Sequence, residues 1–347
     1  QAVLRSLLHW KTGSSAIWIS SLCLFTHCCS STSLSLYGEY RRHGFDFLQG
    51  PTPLPFVGNL LQVSFALHQF YPKLTKQYGP IFTVWLGSRP VVVLCGYAVI
   101  KEALINYSHQ FGARGNLPVT RRLTQGYGIV TTNGERWQQV RRFAVTSLRN
   151  FGMGKRSMEE RIQEESHHLL KAIEDTGGEV FNPLTVLGRA VNNVINLVMF
   201  GRRWGYEDES FLKFVSAVNN LFTFIRSPLG VAYVAFDSVM KHLPGPHQKV
   251  FADCEHVKSF IREEINAHRR SLDPEFPRDF IDCFLIQANK EKDVSNSEFC
   301  QENLLAAVLE MFLGGTETTT NNLQFSLLVM VKHLDIQERI QEEIDTV

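Results

Sequence analysis

The sequence predicts a mainly α fold with a small β-hairpin element and one long central helix. Apolar residues recur at helical spacing through most of the chain beyond residue 135, with Gly and Pro breaking the pattern between segments. β-Branched and aromatic runs occur as a close pair only around residues 81–94. The 25 Phe point to a large apolar interior or an apolar pocket.

A length of 347 residues can bury a sizeable core and sets a soft expectation of two domains, with one large helical domain also allowed. Lys plus Arg is 35 and Asp plus Glu is 34, so the net charge is +1. That balance gives no support for a nucleic-acid binder or for general electrostatic adhesion to membranes. Hydrophobic residues make up 44% and charged residues 20%, values of a globular chain. The seven Cys form no Cys-x-x-Cys and no Cys/His cluster of zinc spacing, so buried free thiols in a reducing compartment are expected.

Residues 12 to 38 carry no Asp, Glu, Lys or Arg. The run is long enough to span a bilayer, but its many Ser and Thr make insertion marginal. Residues 1–49 therefore read as an atypical leader, either a weak membrane anchor or a disordered or mis-spliced segment. Gly50-Pro51-Thr52-Pro53-Leu54-Pro55 then forms a stiff extended connector, and a folded domain begins. Ile81–Leu86 and Val91–Leu94, joined by Gly87-Ser88-Arg89-Pro90, read as the hairpin. Helices follow at Glu135–Leu148, Met158–Thr176, Pro183–Phe200, Glu209–Ile225, Gln248–Arg270, Arg278–Ala288 and Asn303–His333.

The last of these is the most informative. A single helix over 303–333 would run ~46 Å and cross a whole domain. Its ends are apolar, while Gly314-Gly315-Thr316-Glu317-Thr318-Thr319-Thr320-Asn321-Asn322 lies between them. Neither apolar half reaches the ~18 residues a membrane span requires. A buried acid and hydroxyls at the middle of a core helix need a reason, because each unpaired polar group costs about 1–3 kcal/mol. The two glycines would let a ligand approach the backbone where the helix kinks. Two helices, one ending at Gly314-Gly315 and the next capped by Thr316, remain the alternative.

Trp137 and Arg141 are four apart and share a helical face. An indole N–H beside a guanidinium makes a donor-only patch suited to a carboxylate or phosphate, with a surface cation–π pair as the alternative. No Gly-x-Gly-x-x-Gly, phosphate loop, His-Glu-x-x-His or nucleophile elbow is present, so no nicotinamide or ATP loop is evident.

Several stretches carry a family resemblance. They are Pro53-Leu54-Pro55-Phe56-Val57-Gly58-Asn59, Phe111-Gly112-Ala113-Arg114-Gly115 and Trp137-Gln138-Gln139-Val140-Arg141-Arg142-Phe143. Leu148 to Lys155, Glu159 to Glu165 and Leu243 to Gln248 continue it, and Gly314-Gly315-Thr316-Glu317-Thr318-Thr319 fits an Ala/Gly-Gly-x-Asp/Glu-Thr-Thr pattern. In this order, from about Gly50 to Val347, they resemble a eukaryotic microsomal cytochrome P450 of the second family, which includes xenobiotic and fatty-acid monooxygenases.

The resemblance implies a partial cytochrome P450 fold, with residues 50–347 as the N-terminal part of a haem-thiolate monooxygenase domain. That enzyme would insert one oxygen atom of O2 into a lipophilic substrate, a xenobiotic or fatty acid. The implied cofactor is heme b (haem), whose iron would take its axial Cys thiolate from a segment beyond Val347, so no metal ligand is expected in this chain. By resemblance, Thr318 would serve oxygen activation and Glu317 the proton relay. Arg114, Trp137 and Arg141 would hold the haem propionates, with Gly314 and Gly315 bordering the cofactor. The substrate pocket would draw on the loop Leu117 to Val130 and on Ala306, Leu309, Leu313 and Gly314. The implied partners are an NADPH-dependent flavoprotein reductase, docking at Arg142, Arg149 and Lys155, and cytochrome b5 as a second donor. The implied location is the cytosolic face of the endoplasmic reticulum membrane. A non-catalytic truncated fragment, unable to ligate haem iron, is the alternative.

Overall fold

The computed structural model describes residues 49–62, 67–115, 117–153 and 156–346. Nearly all of the expected leader, and Lys155, lie outside them. The chain divides into two units: one holds the residues up to Ala113 together with Ala232–Met240, and the other holds Arg114–Val231 and the residues from Lys241 onward.

In the first unit the Pro-rich connector is tied to the hairpin by Asn59, which is fully buried. Its Nδ2 donates to the carbonyls of Pro51 (3.1 Å) and Thr52 (3.2 Å), and its Oδ1 accepts from the Trp85 amide at 2.7 Å. Strand β1, Ile81–Leu86, pairs antiparallel with β2, Arg89–Leu94, in the register Ile81↔Leu94 to Leu86↔Arg89. The link is thus the two residues Gly87-Ser88, shorter than the expected Gly87-to-Pro90 turn. Pro90 fits within β2 because, among the described residues, β2 has no strand on its outer side and so no ladder to complete there. Phe82 and Val84 are fully buried, and Tyr71, Leu74 and Tyr78 of the helix Leu67–Tyr78 pack with them. That helix carries Pro72 in its interior, which hid it in the sequence. Arg89 Nη2 meets Asp237 Oδ1 at 2.5 Å and tethers the short helix Asp237–Met240.

The second unit is helical. Its main helices are Gly134–Asn150, Arg156–Glu174, Pro183–Phe200, Glu209–Arg226, Pro246–Arg270, Phe280–Lys290 and Gln301–Lys332, each within two residues of its expected place at most ends. Pro118–Thr124 is helical where a loop was expected, and Leu334–Thr346 is a helix that the sequence reading did not assign. No helix among the described residues is long and apolar enough to cross a membrane. The phenylalanines explain themselves here. Phe312 lies 4.9 Å from Phe214 and 5.3 Å from Phe200 between ring centres, and Phe143 sits among Phe280, Phe284 and Phe299. Such aromatic pairs add to the burial of area.

Gln301–Lys332 is one continuous helix, so the two-helix alternative is not adopted. Packing explains why the Gly-Thr segment does not break it. A Cβ on Gly315 would meet Ile195 Cδ1 at 2.7 Å, and a Cβ on Gly188 would lie 3.6 Å from Thr320 Cγ2. Thr316 Oγ1 donates to Asn192 Oδ1 at 3.1 Å. Small and polar residues thus let the long helix lie close against Pro183–Phe200; that helix satisfies Thr316, and Thr320 Oγ1 donates to the Thr316 carbonyl of its own helix at 2.8 Å.

A buried ionic pair joins two further helices. His268 Nδ1 lies 2.7 Å from the Glu264 carbonyl, and its Nε2 lies 2.7 Å from Asp279 Oδ2. With the Asp279 carboxylate ionised both neighbours can only accept, so this geometry favours the ring with both nitrogens protonated. Burial alone would lower its pKa; the Asp279 carboxylate and the Glu264 carbonyl outweigh that and raise it. Asp279 Oδ1 also accepts from the Asp282 amide at 2.9 Å, capping Phe280–Lys290.

Candidate active site

The centre of the long helix presents two faces. Gly315, Thr316 and Thr320 face the Pro183–Phe200 helix as described. Gly314 and Thr318 lie on an open side: Thr318 is exposed, and a Cβ on Gly314 would meet nothing within 4 Å. Thr318 Oγ1 donates to the Gly314 carbonyl at 2.7 Å, a bond from one turn to the previous one. Glu317 Oε1 accepts from Arg226 Nη2 at 2.5 Å and from Asn321 Nδ2 at 3.1 Å.

Arg114, Trp137 and Arg141 come together. The guanidinium carbons of Arg114 and Arg141 lie 5.9 Å and 5.3 Å from the Trp137 ring centre. Arg114 is held through its backbone: its N–H donates to Asn133 Oδ1 at 2.6 Å, and Asn133 Nδ2 donates to its carbonyl at 3.0 Å. Asn133 precedes the helix that carries Trp137 and Arg141, so one side chain sets the spacing of all three. Further along the same helix, Arg142 and Arg149 are exposed and seven apart, which places them two turns apart on one face.

Beside this cluster lies a cleft of about 660 Å³ lined by Arg114, Leu117, Arg121, Thr131 and Arg136 among others. Its lining is mostly polar. Of the residues expected to form an apolar pocket, Leu117 borders this cleft, with Thr120, Arg121, Gln125 and Gly126 of the same Leu117-to-Val130 stretch. Ala306 and Leu309 are buried within protein, Leu313 packs against the core, and Val130 is half exposed in the loop after the Pro118–Thr124 helix.

The buried acid of the long helix is Glu310 rather than Glu317, and it was passed over in the sequence. Its Oε2 accepts from the amides of Ile129 at 2.5 Å and Val130 at 2.9 Å. Burial pushes its carboxyl above the ordinary range, and those amides pull it part of the way back. Two turns before it, Asn303 Oδ1 accepts from the Gly128 amide at 3.0 Å. The signal was available: an isolated acid inside Leu304–Leu313 has no reason to be there without a partner.

The family model for cytochrome P450 matches residues 48–347. Cytochrome P450 2G1 of Oryctolagus cuniculus is 46% identical over 299 residues, covering 86% of this chain and 60% of its own length. Cytochrome P450 2C8 of Homo sapiens is 44% identical over 299 residues (86% and 61%), and cytochrome P450 2A6 of Homo sapiens is also 44% identical (86% and 60%). The chain belongs to the cytochrome P450 family and is of the microsomal second-family type. It spans about three fifths of the length of these relatives.

Proposed function

We propose that the complete protein is a haem-dependent monooxygenase acting on a lipophilic small molecule, fed with electrons by an NADPH-dependent flavoprotein reductase at the endoplasmic reticulum membrane. The observation that carries the reading is the Arg114–Trp137–Arg141 cluster. Two guanidiniums and an indole N–H offer donors and no acceptor, which fits the paired carboxylates of haem. The open backbone at Gly314 suits a flat ligand edge. When bound, haem with a thiolate ligand would supply the activation of dioxygen.

The chain's own residues bind, orient and move protons. Arg114, Trp137 and Arg141 would hold the haem carboxylates. Thr318 Oγ1, oriented by the Gly314 carbonyl, presents a hydroxyl to the open face. Glu317 is the acid that would resupply its proton, and Arg226 holds that carboxylate aside until it moves. Burial pushes the thiols of Cys254 and Cys283 up to about 12 and about 11, so neither is a ready thiolate at neutral pH. On the family resemblance, none of the seven Cys stands in the thiolate-loop context, and the ligand to iron would come from the part of the relatives' length that this chain does not span. Arg142, Arg149 and Lys155 would receive the reductase by charge.

The test uses the chain extended by the C-terminal segment of cytochrome P450 2G1. Thr318→Val keeps the shape and removes the donor. It should bind substrate and accept electrons, yet release more peroxide and form less product per NADPH. An unchanged product-to-peroxide ratio would leave Thr318 with the helix bond to Gly314 as its whole role.

A further inference from the structure

We propose that Asn133-Gly134 is a deamidation site whose conversion disarms the Arg114–Trp137–Arg141 cluster. The consequence rests on the reading that this cluster holds the carboxylates of haem; the chemistry stands apart from it. Asn133-Gly134 is the one Asn-Gly pair of the sequence. A glycine after Asn leaves the following backbone nitrogen unshielded by any side chain. Both residues are exposed, and a Cβ on Gly134 would meet nothing within 4 Å. Gly134 is the first residue of its helix, so its N–H has no helical carbonyl to serve. Asn133 lines the open cleft, which brings water to its side chain.

In the reaction the Gly134 nitrogen attacks Asn133 Cγ. The new N–Cγ bond replaces the Cγ–Nδ2 bond, and Nδ2 leaves as ammonia with the proton of the Gly134 amide. Water then opens the five-membered imide. Its oxygen joins one of the two carbonyl carbons, the nitrogen regains a proton, and aspartate or isoaspartate results. No electrons are exchanged. Arg114 sets the pace, because its backbone holds both ends of the Asn133 amide, at 2.6 Å from Oδ1 and 3.0 Å from Nδ2. The side chain must leave Arg114 before Cγ can close a ring on the Gly134 nitrogen.

The product differs from Asn133 in three ways. A carboxylate cannot donate to the Arg114 carbonyl, so one of the two tethering bonds is lost. It places a negative charge one turn from Trp137, beside the cations that would take the haem carboxylates. Aspartate is also a preferred helix cap, a role that the Asn133 side chain does not fill. Conversion therefore loosens Arg114 and introduces a competing anion while it strengthens the start of the helix.

The 347-residue chain is incubated in mildly alkaline buffer without cofactor, beside the same chain unfolded in urea. Mass spectrometry follows the peptides holding Asn133 and Asn150, the latter followed by the bulky Phe151. The folded chain should convert at Asn133 more slowly than the unfolded chain, and well ahead of Asn150. Conversion in urea with none in the folded chain, or equal rates at the two positions, would overturn the site. Asn133→Asp then carries the product's charge. In the extended protein it should lower haem affinity by about tenfold, while the urea midpoint of the cofactor-free chain stays at or above wild type. Aged wild type, resolved by charge into converted and unconverted fractions, reads the same difference without a variant. Equal haem affinity in the two fractions would overturn the disarming, as would a loss that only follows a lowered urea midpoint. Haem retained in full by Trp137→Ala and Arg141→Ala would contradict the haem reading and the disarming with it, leaving the deamidation result standing.

Discussion

The two halves of the long helix have similar sequences and opposite surroundings. From Leu304 to Phe312 nearly every side chain is buried, and Phe312 is fully enclosed by Phe200 and Phe214. From Leu323 to Val331 the side chains are just as apolar, yet Phe325 is 65% exposed and Val331 73%. Helical propensity and hydrophobicity do not distinguish the halves; only the presence of packed neighbours does. Among the described residues the first half is enclosed on all sides, whereas the second half and the Leu334–Thr346 helix keep an open apolar side. An apolar stripe therefore records that a face is meant to be covered, without naming its cover.

The largest contrast should come from matched truncations. Phe312→Ala should cost ~3–5 kcal/mol by emptying a packed aromatic site. Phe325→Ala, in the same chain, should change stability by no more than ~0.5 kcal/mol. Urea unfolding of both variants reads the difference; equal losses would mean that the second half is covered after all, for instance by a second copy.

A charged group within the packed region sharpens the same contrast. His268 has its folded pKa raised above the ordinary 6.5. Its contribution is thus fully present below the unfolded value and is lost as pH rises through the folded value. Below that window His268→Gln should cost roughly 1.5–3 kcal/mol, the worth of a hydrogen bond to a charged group. Other groups near the ring bear on the window. Arg278 holds Asp282 with its backbone amide and two guanidinium hydrogen bonds, and Arg202 pairs with Glu264. A series of urea midpoints against pH should fall with rising pH in wild type and lie flatter in the variant. Parallel curves would mean that the ring is neutral in the fold.

These cases show how much the sequence made legible. Pro183–Phe200 was readable to the residue because Asn182 caps it, Pro183 starts it and Gly201, at φ +65°, ends it. The donor cluster was half readable, since Trp137 and Arg141 share a face by spacing. Arg114 joins them through Asn133, a tertiary contact that no local pattern encodes. Leu67–Tyr78 was hidden by an internal Pro, and Glu310 by attention to the Gly-Thr centre that follows it. The resemblance named Ala306 and Leu309 as pocket residues; both are buried, and apolarity alone cannot say whether such side chains face a cavity or the core.

Adjacent glycines give a smaller test with opposite signs. Gly315→Val should cost about 1–3 kcal/mol by overpacking against Ile195. Gly314→Ala, where space is open, should gain up to ~1 kcal/mol from helix propensity. The same sign for both would mean that the two sides of the helix are not as different as the structure places them. Smaller still, Thr318→Val should shift stability by no more than about 1 kcal/mol, the worth of its bond to Gly314.

The central claim is that the Arg114–Trp137–Arg141 cluster holds the carboxylates of haem. Its most direct measurement is haem retained through gel filtration by the extended protein, alongside its helix content by circular dichroism. The account predicts that Trp137→Ala and Arg141→Ala each lose most of their haem while keeping wild-type helicity. Full haem occupancy in both variants would contradict it and leave the cluster a surface cation–π group.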